Sequence, residues 1–470
     1  MGAIDSVTDF ITTTAWSDLP SAIQTKSVSC LLDSLGATLV GTRTRVARIA
    51  DGFAREHLKG DGATLLRSGA KVASMGAAFA NAVAANGADI DDCGIYTGGH
   101  PGAQVFPTAL ALAEELHRSA RELLTATVIG YEVAFRAGRC MNDRNISAEP
   151  SGCRACGSWG SVATAAIAAR LRGLSPAQTA QALGIAEYHS PDLPLMRDLD
   201  HPAMVKHGMG IGPLTGIMAA QLASAGFTGV PSILGFDEYA SWVEDIGSTY
   251  LLPIGIQWKQ YSCCGWNDPA LYAAEHLLRT CSIPVEQIAR IRIVCHRDAF
   301  RLGTRLPETT EEAQFNLAWP IACLLLHGEV RPEHVLEDNL TDPETCALAR
   351  LVELEESPEF TRLLDLSDAD DPAGAEYADV TIELADGRSY TSGPIEGSDY
   401  DDWPAEQVER KFRWVLKETL GEVPIDDLIA AVRGLPDVDD VSDFVCALPA
   451  PVGHDRVATN ENPEVPPWKE

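Results

Sequence analysis

Runs of alanine and glycine at helical spacing dominate roughly the first 260 residues and constrain the fold more than any other feature. The densest runs cover residues 74–88, 160–169 and 212–225. Helices with such small side chains can pack at short distances, near the lower end of the usual interaxial range of about 8–10 Å. The pattern therefore predicts a compact helical bundle.

Local signals mark further helices in this part of the chain. Apolar residues recur at helical spacing over 19–40. Ser119-Ala-Arg-Glu122 has the form of a capping box and predicts a helix that continues to about Gly138. Ser175-Pro-Ala-Gln178 repeats this signal, with the proline at the first helical position.

The pattern changes after about Trp266. Residues 289–295 alternate as in a half-buried strand, and the expected inward set is Ala289, Ile291, Ile293 and Cys295. Residues 377–390 read as a hairpin with Asp386-Gly387 at its turn. Helical patterns cover 315–327 and 341–354 between these strands, and 408–420 after them. These elements predict a smaller α+β domain.

We therefore expect a mainly α protein, in which a large helical bundle domain carries a smaller, lid-like α+β domain. The predicted boundaries are 1–266 for the helical domain and 267–400 for the α+β domain. Residues 401–450 return to the helical domain, and the proline-containing residues 451–470 form an irregular tail.

Charge and composition exclude several partners. The chain has 36 Lys+Arg against 67 Asp+Glu, which gives a formal net charge of −31. Such a surface repels nucleic acid and anionic lipid, so we expect neither partner. No apolar run approaches the roughly 18 residues of a membrane span. The N-terminal MGAIDSVTDF lacks signal-peptide character, which predicts a cytoplasmic protein.

Twelve scattered cysteines are expected to be reduced thiols in that compartment. Cys153 and Cys156 form a C-x-x-C, and Cys263 and Cys264 are adjacent. A structural zinc site normally needs two spaced pairs. We therefore expect neither a metal nor another cofactor.

The richest chemical segment is Asp89-Ile-Asp-Asp-Cys-Gly-Ile-Tyr-Thr-Gly-Gly-His-Pro-Gly102. Its three carboxylates and its imidazole could exchange protons near neutral pH. The alternative is a helix end with solvated acids and a capping histidine. The glycine-rich loop favours an acid–base site, because irregular loops between helices commonly carry function.

Two further segments are candidate ligand sites. His201–Gly212 contains Lys206 beside His207, just before a helix, where a lysine needs a compensating anion from a substrate or from a structural aspartate. Tyr261-Ser-Cys-Cys-Gly-Trp266 falls at the predicted domain junction, where ligands commonly bind, although a buried turn explains it equally well. Hydrolase, zincin and dinucleotide-binding motifs are absent from the sequence.

Together these segments resemble the MmgE/PrpD family, which includes dehydratases, a decarboxylase and an epimerase. The resemblance covers about residues 5–440. The motifs that carry it are Gly87-Ala-Asp-Ile-Asp-Asp92, His100-Pro-Gly102, Gly130-Tyr-Glu-Val133, Gly157-Ser-Trp-Gly160, Met204-Val-Lys-His-Gly208 and Trp258-Lys-Gln-Tyr-Ser-Cys-Cys264. It implies a helical domain with a smaller α+β domain, a homodimer, and metal-free chemistry on small di- or tricarboxylates.

The resemblance also implies site residues. His100 is the expected proton-transfer group and Asp89 orients it, with Lys206 and Arg154 holding substrate carboxylates. The full predicted catalytic set is Asp89, Asp92, Cys93, His100 and Lys206. The predicted substrate-binding set is Ser151, Arg154, His207, Tyr261, Cys263 and Trp319.

Four positions depart from the family pattern. Cys93 replaces a common Thr, Ser151 a second active-site His, Trp319 a frequent Tyr, and Trp266 lies where other members have a His. The first hypothesis is a lyase of dehydratase or hydratase type. The second is an epimerase of an iminodisuccinate-like dicarboxylate, and the third is a non-catalytic family member.

Overall fold

The computed structural model describes residues 2–143, 153–367, 374–397, 403–420 and 425–449. Its α-helices are α1 Ala3–Thr13, α2 Ser21–Gly41, α3 Arg45–His57, α4 Ser74–Ala85, α5 Gly102–Glu115, α6 Ala120–Met141, α7 Gly157–Arg172, α8 Pro176–Tyr188, α9 Leu195–Asp200, α10 Ile211–Ser224, α11 Ala240–Val243, α12 Leu252–Gly255, α13 Asp268–Thr280, α14 Arg297–Arg301, α15 Thr310–Gln314, α16 Ala318–His327, α17 Pro332–Val335, α18 Pro343–Ala349, α19 Pro358–Ser367, α20 Ala405–Leu416, α21 Ile425–Arg433 and α22 Val441–Ala447. Its strands are β1 Ala63–Thr64, β2 Lys71–Val72, β3 Cys93–Gly94, β4 Ile256–Gln257, β5 Ile288–Cys295, β6 Val352–Glu356, β7 Tyr377–Leu384, β8 Ser389–Thr391 and β9 Ile395–Glu396. The predicted fold class, mainly α with a smaller α+β part, is confirmed. Within the described residues, no helix has both the length and the apolar character to cross a membrane.

Small residues let α7 and α10 pack closely. A side chain at Gly160 or Gly212 would collide with the amide of Gln104, and the Thr164 hydroxyl donates across the interface to the Gly212 carbonyl at 2.9 Å. This hydrogen bond links the two helices directly. The alanine and glycine runs therefore form the centre of the helical core.

The predicted capping signals are formed to different degrees. At α8, Ser175 and Gln178 make the complete reciprocal capping box. At α6, the Ser119 hydroxyl accepts from the Glu122 backbone N–H, but the Glu122 carboxylate pairs with Arg170 of α7 at 3.0 Å instead of completing the box. A charged partner from another helix thus replaces the local hydrogen bond.

A mixed sheet with the order β6-β5-β7-β8 forms the centre of the α+β part, and β9 pairs with β7. Strands β5 and β6 are parallel, whereas β5 and β7 are antiparallel. The hairpin prediction is confirmed: Val380, Ile382 and Leu384 are buried, and Gly387 in the turn has a φ of +90°.

Two details of the predicted elements are wrong. Ala289 is exposed, because the β5–β7 register shifts between Ile288 and Arg290, and Ile288 takes the inward position. The helix predicted over 341–354 is shorter, since α18 ends at Ala349 and β6 begins at Val352. Pairing of β6 with the central strand β5 outweighs the local helical pattern there.

Two hydrophobic clusters organise the packing around the site. The first contains buried side chains from the N-terminal helices as far as Trp258, together with residues of α20, α21 and α22. The second runs from Tyr261 to Leu384 and also takes in Leu195 and Leu199 of α9. The domain boundaries given above stay predictions, and residues 451–470 lie outside the described residues.

Candidate active site

The carboxylate loop between α4 and α5 brings the first functional groups together. Its three aspartates, Asp89, Asp91 and Asp92, are all fully buried. Asp89 has a φ of +53°, a left-handed conformation that is uncommon for a residue other than glycine. Pairing of β3 with β4 anchors the next residues of the loop beside the segment that contains Lys259.

His100 lies between two of these carboxylates. Its Nδ1 is 3.1 Å from Asp91 Oδ2, and its Nε2 is 3.5 Å from Asp89 Oδ1. The Cys93 Sγ lies 3.9 Å from Nδ1. Burial disfavours a charged imidazole, but Cys93 and Asp91 outweigh this effect and raise the pKa of His100 well above its usual value. These neighbours therefore favour the imidazolium form of His100.

Lys259 supplies the second positive charge of the cluster. Its Nζ donates to Asp89 Oδ1 at 2.7 Å, and both side chains are about 1% exposed. Burial disfavours ionised Asp89, but Lys259, Lys206 and His100 outweigh it and lower the pKa of this carboxyl. The pKa of Asp91 is also lowered, mainly by His100 acting against burial. Asp89 and Asp91 are thus compensated by His100 and Lys259, and Lys206 adds to the positive field at Asp89.

Asp92 contacts other groups behind this cluster. Its Oδ1 accepts from the Gly102 backbone N–H at 2.8 Å, and its Oδ2 accepts from the Tyr131 hydroxyl. Burial and the nearby Asp33 carboxylate raise the pKa of Asp92 to about 7. The hydrogen bond from the Gly102 N–H to Asp92 joins the two ends of the loop segment that contains His100.

The segment that contains Lys206 and His207 forms the opposite side of the site. Lys206 Nζ donates to the Asn86 carbonyl at 2.6 Å and to the Gln314 side-chain oxygen. His207 Nδ1 lies 3.0 Å from Asp198 Oδ2, and the same carboxylate accepts from the His207 backbone N–H. Lys206 thus fixes the backbone before Asp89, and His207 is oriented by Asp198.

A cavity of about 400 Å³ opens between the helical part and the α+β part. Its wall includes Cys93, His100, Arg139, His207, Cys264 and Trp266. The Arg139 guanidinium lies 4.7 Å from the Trp242 ring centroid and 5.8 Å from that of Tyr96. A cavity of this size, with a few convergent polar groups, suits a small organic ligand.

Several side chains that were predicted to bind substrate do not line this cavity. Arg154 Nε donates to the Met141 carbonyl at 3.0 Å, and its guanidinium pairs with Asp192. The Trp319 indole donates to the His334 carbonyl at 2.9 Å. Buried donors need such partners, and here the partners are internal to the fold.

Tyr261 and Cys263 are buried in the second hydrophobic cluster, and the Tyr261 hydroxyl donates to Glu275 at 3.2 Å. Within the described residues, neither they nor Arg154 and Trp319 line the cavity. Ser151 lies outside the described residues.

Sequence reasoning missed three groups that the structure places at the site. Asp91 was expected only as a member of the acidic triplet, and Arg139 was given no role. Lys259 was part of the family motif without an assigned role. The chain has only eight lysines, and a rare lysine beside the domain junction is the signal that could have identified Lys259.

Asp89, Asp91 and His100 have the donor types of a metal site. One ligand atom each from Asp89, Asp91 and His100 lies within 4.8 Å of the others. A metal needs the histidine deprotonated, whereas these carboxylates favour the imidazolium. The Lys259 ammonium also occupies one position around Asp89 that a cation would take. A metal would therefore have to displace the His100 proton.

Comparison with known proteins agrees with this architecture. Residues 5–239 match the MmgE/PrpD N-terminal domain, and residues 261–435 match the MmgE/PrpD C-terminal domain. Cis-aconitate decarboxylase of Homo sapiens is 26% identical over 455 residues, which cover 91% of this chain and 90% of the relative. Cis-aconitate decarboxylase of Aspergillus terreus is 21% identical over 490 residues, covering 96% of each chain. The two family models together span most of the sequence, and the chain belongs to the MmgE/PrpD family.

Proposed function

We propose that the protein is a metal-independent lyase, of dehydratase or hydratase type, that acts on a small di- or tricarboxylic acid. The decarboxylase names of its relatives support lyase-type chemistry on such acids. The observation that carries the proposal is the position of His100, between the Asp89 and Asp91 carboxylates on the wall of the cavity. A fixed, charged imidazole is suited to general acid catalysis.

In this mechanism His100 gives its proton to the hydroxyl group that leaves the substrate. The shorter contact, from Nδ1 to Asp91, fixes the ring. Nε2 is only 3.5 Å from Asp89, a looser contact with which a substrate oxygen can compete. Lys259 keeps Asp89 ionised, so the carboxylate orients His100 and does not take its proton.

Arg139 is the group that we assign to a substrate carboxylate. Lys206 and Arg154, which the resemblance suggested for this role, are not among the described residues that line the cavity. Arg139 lines the cavity, and two aromatic rings hold its guanidinium in place. A planar guanidinium also matches a carboxylate in two parallel hydrogen bonds. Because Asp298 and Glu376 line the same cavity, an anionic substrate needs this positive charge.

Epimerisation is the second candidate function. Two imidazole rings, those of His100 and His207, line the same cavity with their centroids 6.0 Å apart. Such a pair could return a proton to the carbon from which it was taken, without loss of a hydroxyl group. The two candidates differ in their products.

The test is incubation of the purified protein in heavy water with a panel of di- and tricarboxylates, followed by NMR. We expect an unsaturated product, or a hydrated one from an unsaturated acid. Deuterium beside a carboxylate with inversion and without water loss would identify the epimerase. No turnover by folded protein across the panel would contradict both functions.

Arg139→Gln should raise KM at least tenfold, whereas the exposed Arg197→Gln should not.

Metal independence has its own test. Dialysis against a chelator should leave the rate of product formation unchanged, because Lys259 and His100 supply the positive charges of the site. The measurement is the initial rate before and after dialysis, with and without added Mg²⁺, Mn²⁺ or Zn²⁺. Loss of activity that one of these ions restores would contradict the metal-independent mechanism.

A further inference from the structure

A second imidazole faces the same cavity as His100. The His207 ring lies nearly parallel to the His100 ring, with an interplanar angle of 9° and a centroid distance of 6.0 Å. The centroid of the Phe315 ring is 5.3 Å from that of His207, and this contact restricts the orientation of the imidazole. A small substrate that contacts His100 in this cavity is therefore also within reach of His207.

The backbone that presents His207 is held in an uncommon conformation. Lys206, His207 and Gly208 have φ values of +31°, +60° and +76°. In the described residues, three of the four non-glycine positions with positive φ belong to this site: Lys206, His207 and Asp89. Such conformations are energetically costly and occur most often at functional sites, where the fold holds a side chain in a required position.

The two histidines lie in opposite electrostatic environments. The groups that act on His207 are Asp198, which favours its charged form, and His100 and Lys206, which oppose it. Burial is the largest effect, and together these influences lower the pKa of His207, whereas the pKa of His100 is raised. Two titratable groups driven apart in this way are typical of an acid and a base in one site.

We propose that His207 is a catalytic residue, the base that removes the proton from the carbon beside the substrate carboxylate. This role rests on the proposed lyase function. The ring nitrogen remote from Asp198 takes the proton, and the C–H electron pair becomes the new C=C bond. The C–O bond breaks, and the hydroxyl leaves as water with the proton from His100. His207 then releases its proton to solvent while His100 regains one.

The test compares His207→Asn with His201→Asn. His201 is exposed and lies six residues earlier in the same segment, so it is a matched control. We expect His207→Asn to lower kcat at least 100-fold, with KM changed less than threefold, and to lose solvent deuterium exchange at the substrate carbon. The acidic limb of the wild-type pH–rate profile should also disappear. His201→Asn should keep all of these properties.

A second variant, His207→Gln, and thermal unfolding of both variants guard against a loss of folding. If a folded His207 variant keeps kcat within threefold and keeps the acidic limb, His207 is not the base. If the wild-type protein itself shows neither turnover nor exchange, the lyase proposal fails instead. The two failures are therefore distinguishable.

Discussion

At the scale of single residues, the balance of charge around His100 determines what the site can do. Asp89 and Asp91 face the two cations His100 and Lys259, and all four side chains are buried. Each cation stabilises the ionised carboxylates beside it, because low-dielectric surroundings strengthen the attraction between opposite charges. Removal of one member therefore leaves an uncompensated buried charge.

Lys259→Met tests this balance. Breaking a buried pair by removal of one partner costs about 3–5 kcal/mol, so the free energy of unfolding should fall by that amount. Urea unfolding measures it, and Arg362→Met is the control, because its pair with Glu359 is exposed and should contribute little to stability. Equal, small losses in both variants would contradict a tightly coupled cluster.

Asp92→Asn tests the carboxyl behind the site. The pKa of Asp92 is about 7 in the folded state and about 4 in the unfolded state. The protonated carboxyl therefore stabilises the folded protein. This stabilisation is fully present below about pH 4 and is lost as pH rises through about 7. Between about pH 5 and pH 8, the wild-type protein should therefore lose on the order of 2 kcal/mol that the variant does not lose. Urea unfolding at several pH values measures this. A constant difference between the two proteins would show that Asp92 does not titrate as described.

At the scale of elements, the close approach of α7 and α10 decides whether the helical core can form. A Cβ added at Gly216 would lie 2.5 Å from the Ala165 backbone nitrogen and 2.7 Å from the Thr164 carbonyl carbon. Backbone atoms cannot move aside as a flexible side chain can. The close packing of these two helices therefore requires a residue as small as glycine at this position.

Gly216→Ala should lower the free energy of unfolding by about 1–3 kcal/mol. Gly52→Ala in α3 is the matched control, because an added Cβ there meets nothing within 4 Å. The control should stabilise the protein by up to about 1 kcal/mol through helix propensity. Chemical denaturation of both variants provides the measurement, and a stabilising Gly216→Ala would contradict the packing described.

Element prediction from sequence succeeded where the determining contacts are local. The α8 capping box and the hairpin turn at Gly387 depend on residues a few positions apart. It failed for β6, which forms a strand because it pairs with β5, and for Ala289, whose exposure depends on a register shift against β7. Local periodicity contains neither contact.

The same distinction holds for the site. The loop that joins Asp89 to His100 is one continuous segment, so its own residues pointed to it. Lys259 and Arg139 come from distant elements, and their roles follow only from the pairing of β3 with β4 and from the cavity wall. The sequence pattern likewise gave no indication that Arg154 and Trp319 bind backbone carbonyls inside the fold.

At the scale of the whole molecule, charge is distributed unequally between interior and surface. Four of the eight lysines, Lys26, Lys206, Lys259 and Lys411, are buried. Buried carboxylates such as Asp33, Asp89 and Glu132 offset these cations, so most of the net charge of −31 lies outside the buried residues. Self-repulsion among surface carboxylates should consequently be strong at low ionic strength.

Salt should relieve this repulsion. An increase in NaCl from about 0.1 M to about 1 M shortens the Debye length from about 10 Å to about 3 Å, so the midpoint of thermal unfolding should rise. KCl should act equally, because screening does not depend on the identity of the cation. A fall of the midpoint in both salts would contradict a surface dominated by self-repulsion, and a rise in only one would indicate specific ion binding.

Catalysis by the His100 imidazolium is the central claim, and His100→Asn tests it most directly. The measurement is kcat/KM for formation of the unsaturated product by wild-type and variant protein, with thermal unfolding as the control for folding. Loss of the general acid should lower kcat/KM by about 10²–10⁴-fold while the variant remains folded. A folded His100→Asn protein that retains kcat/KM within threefold of wild type would contradict the account.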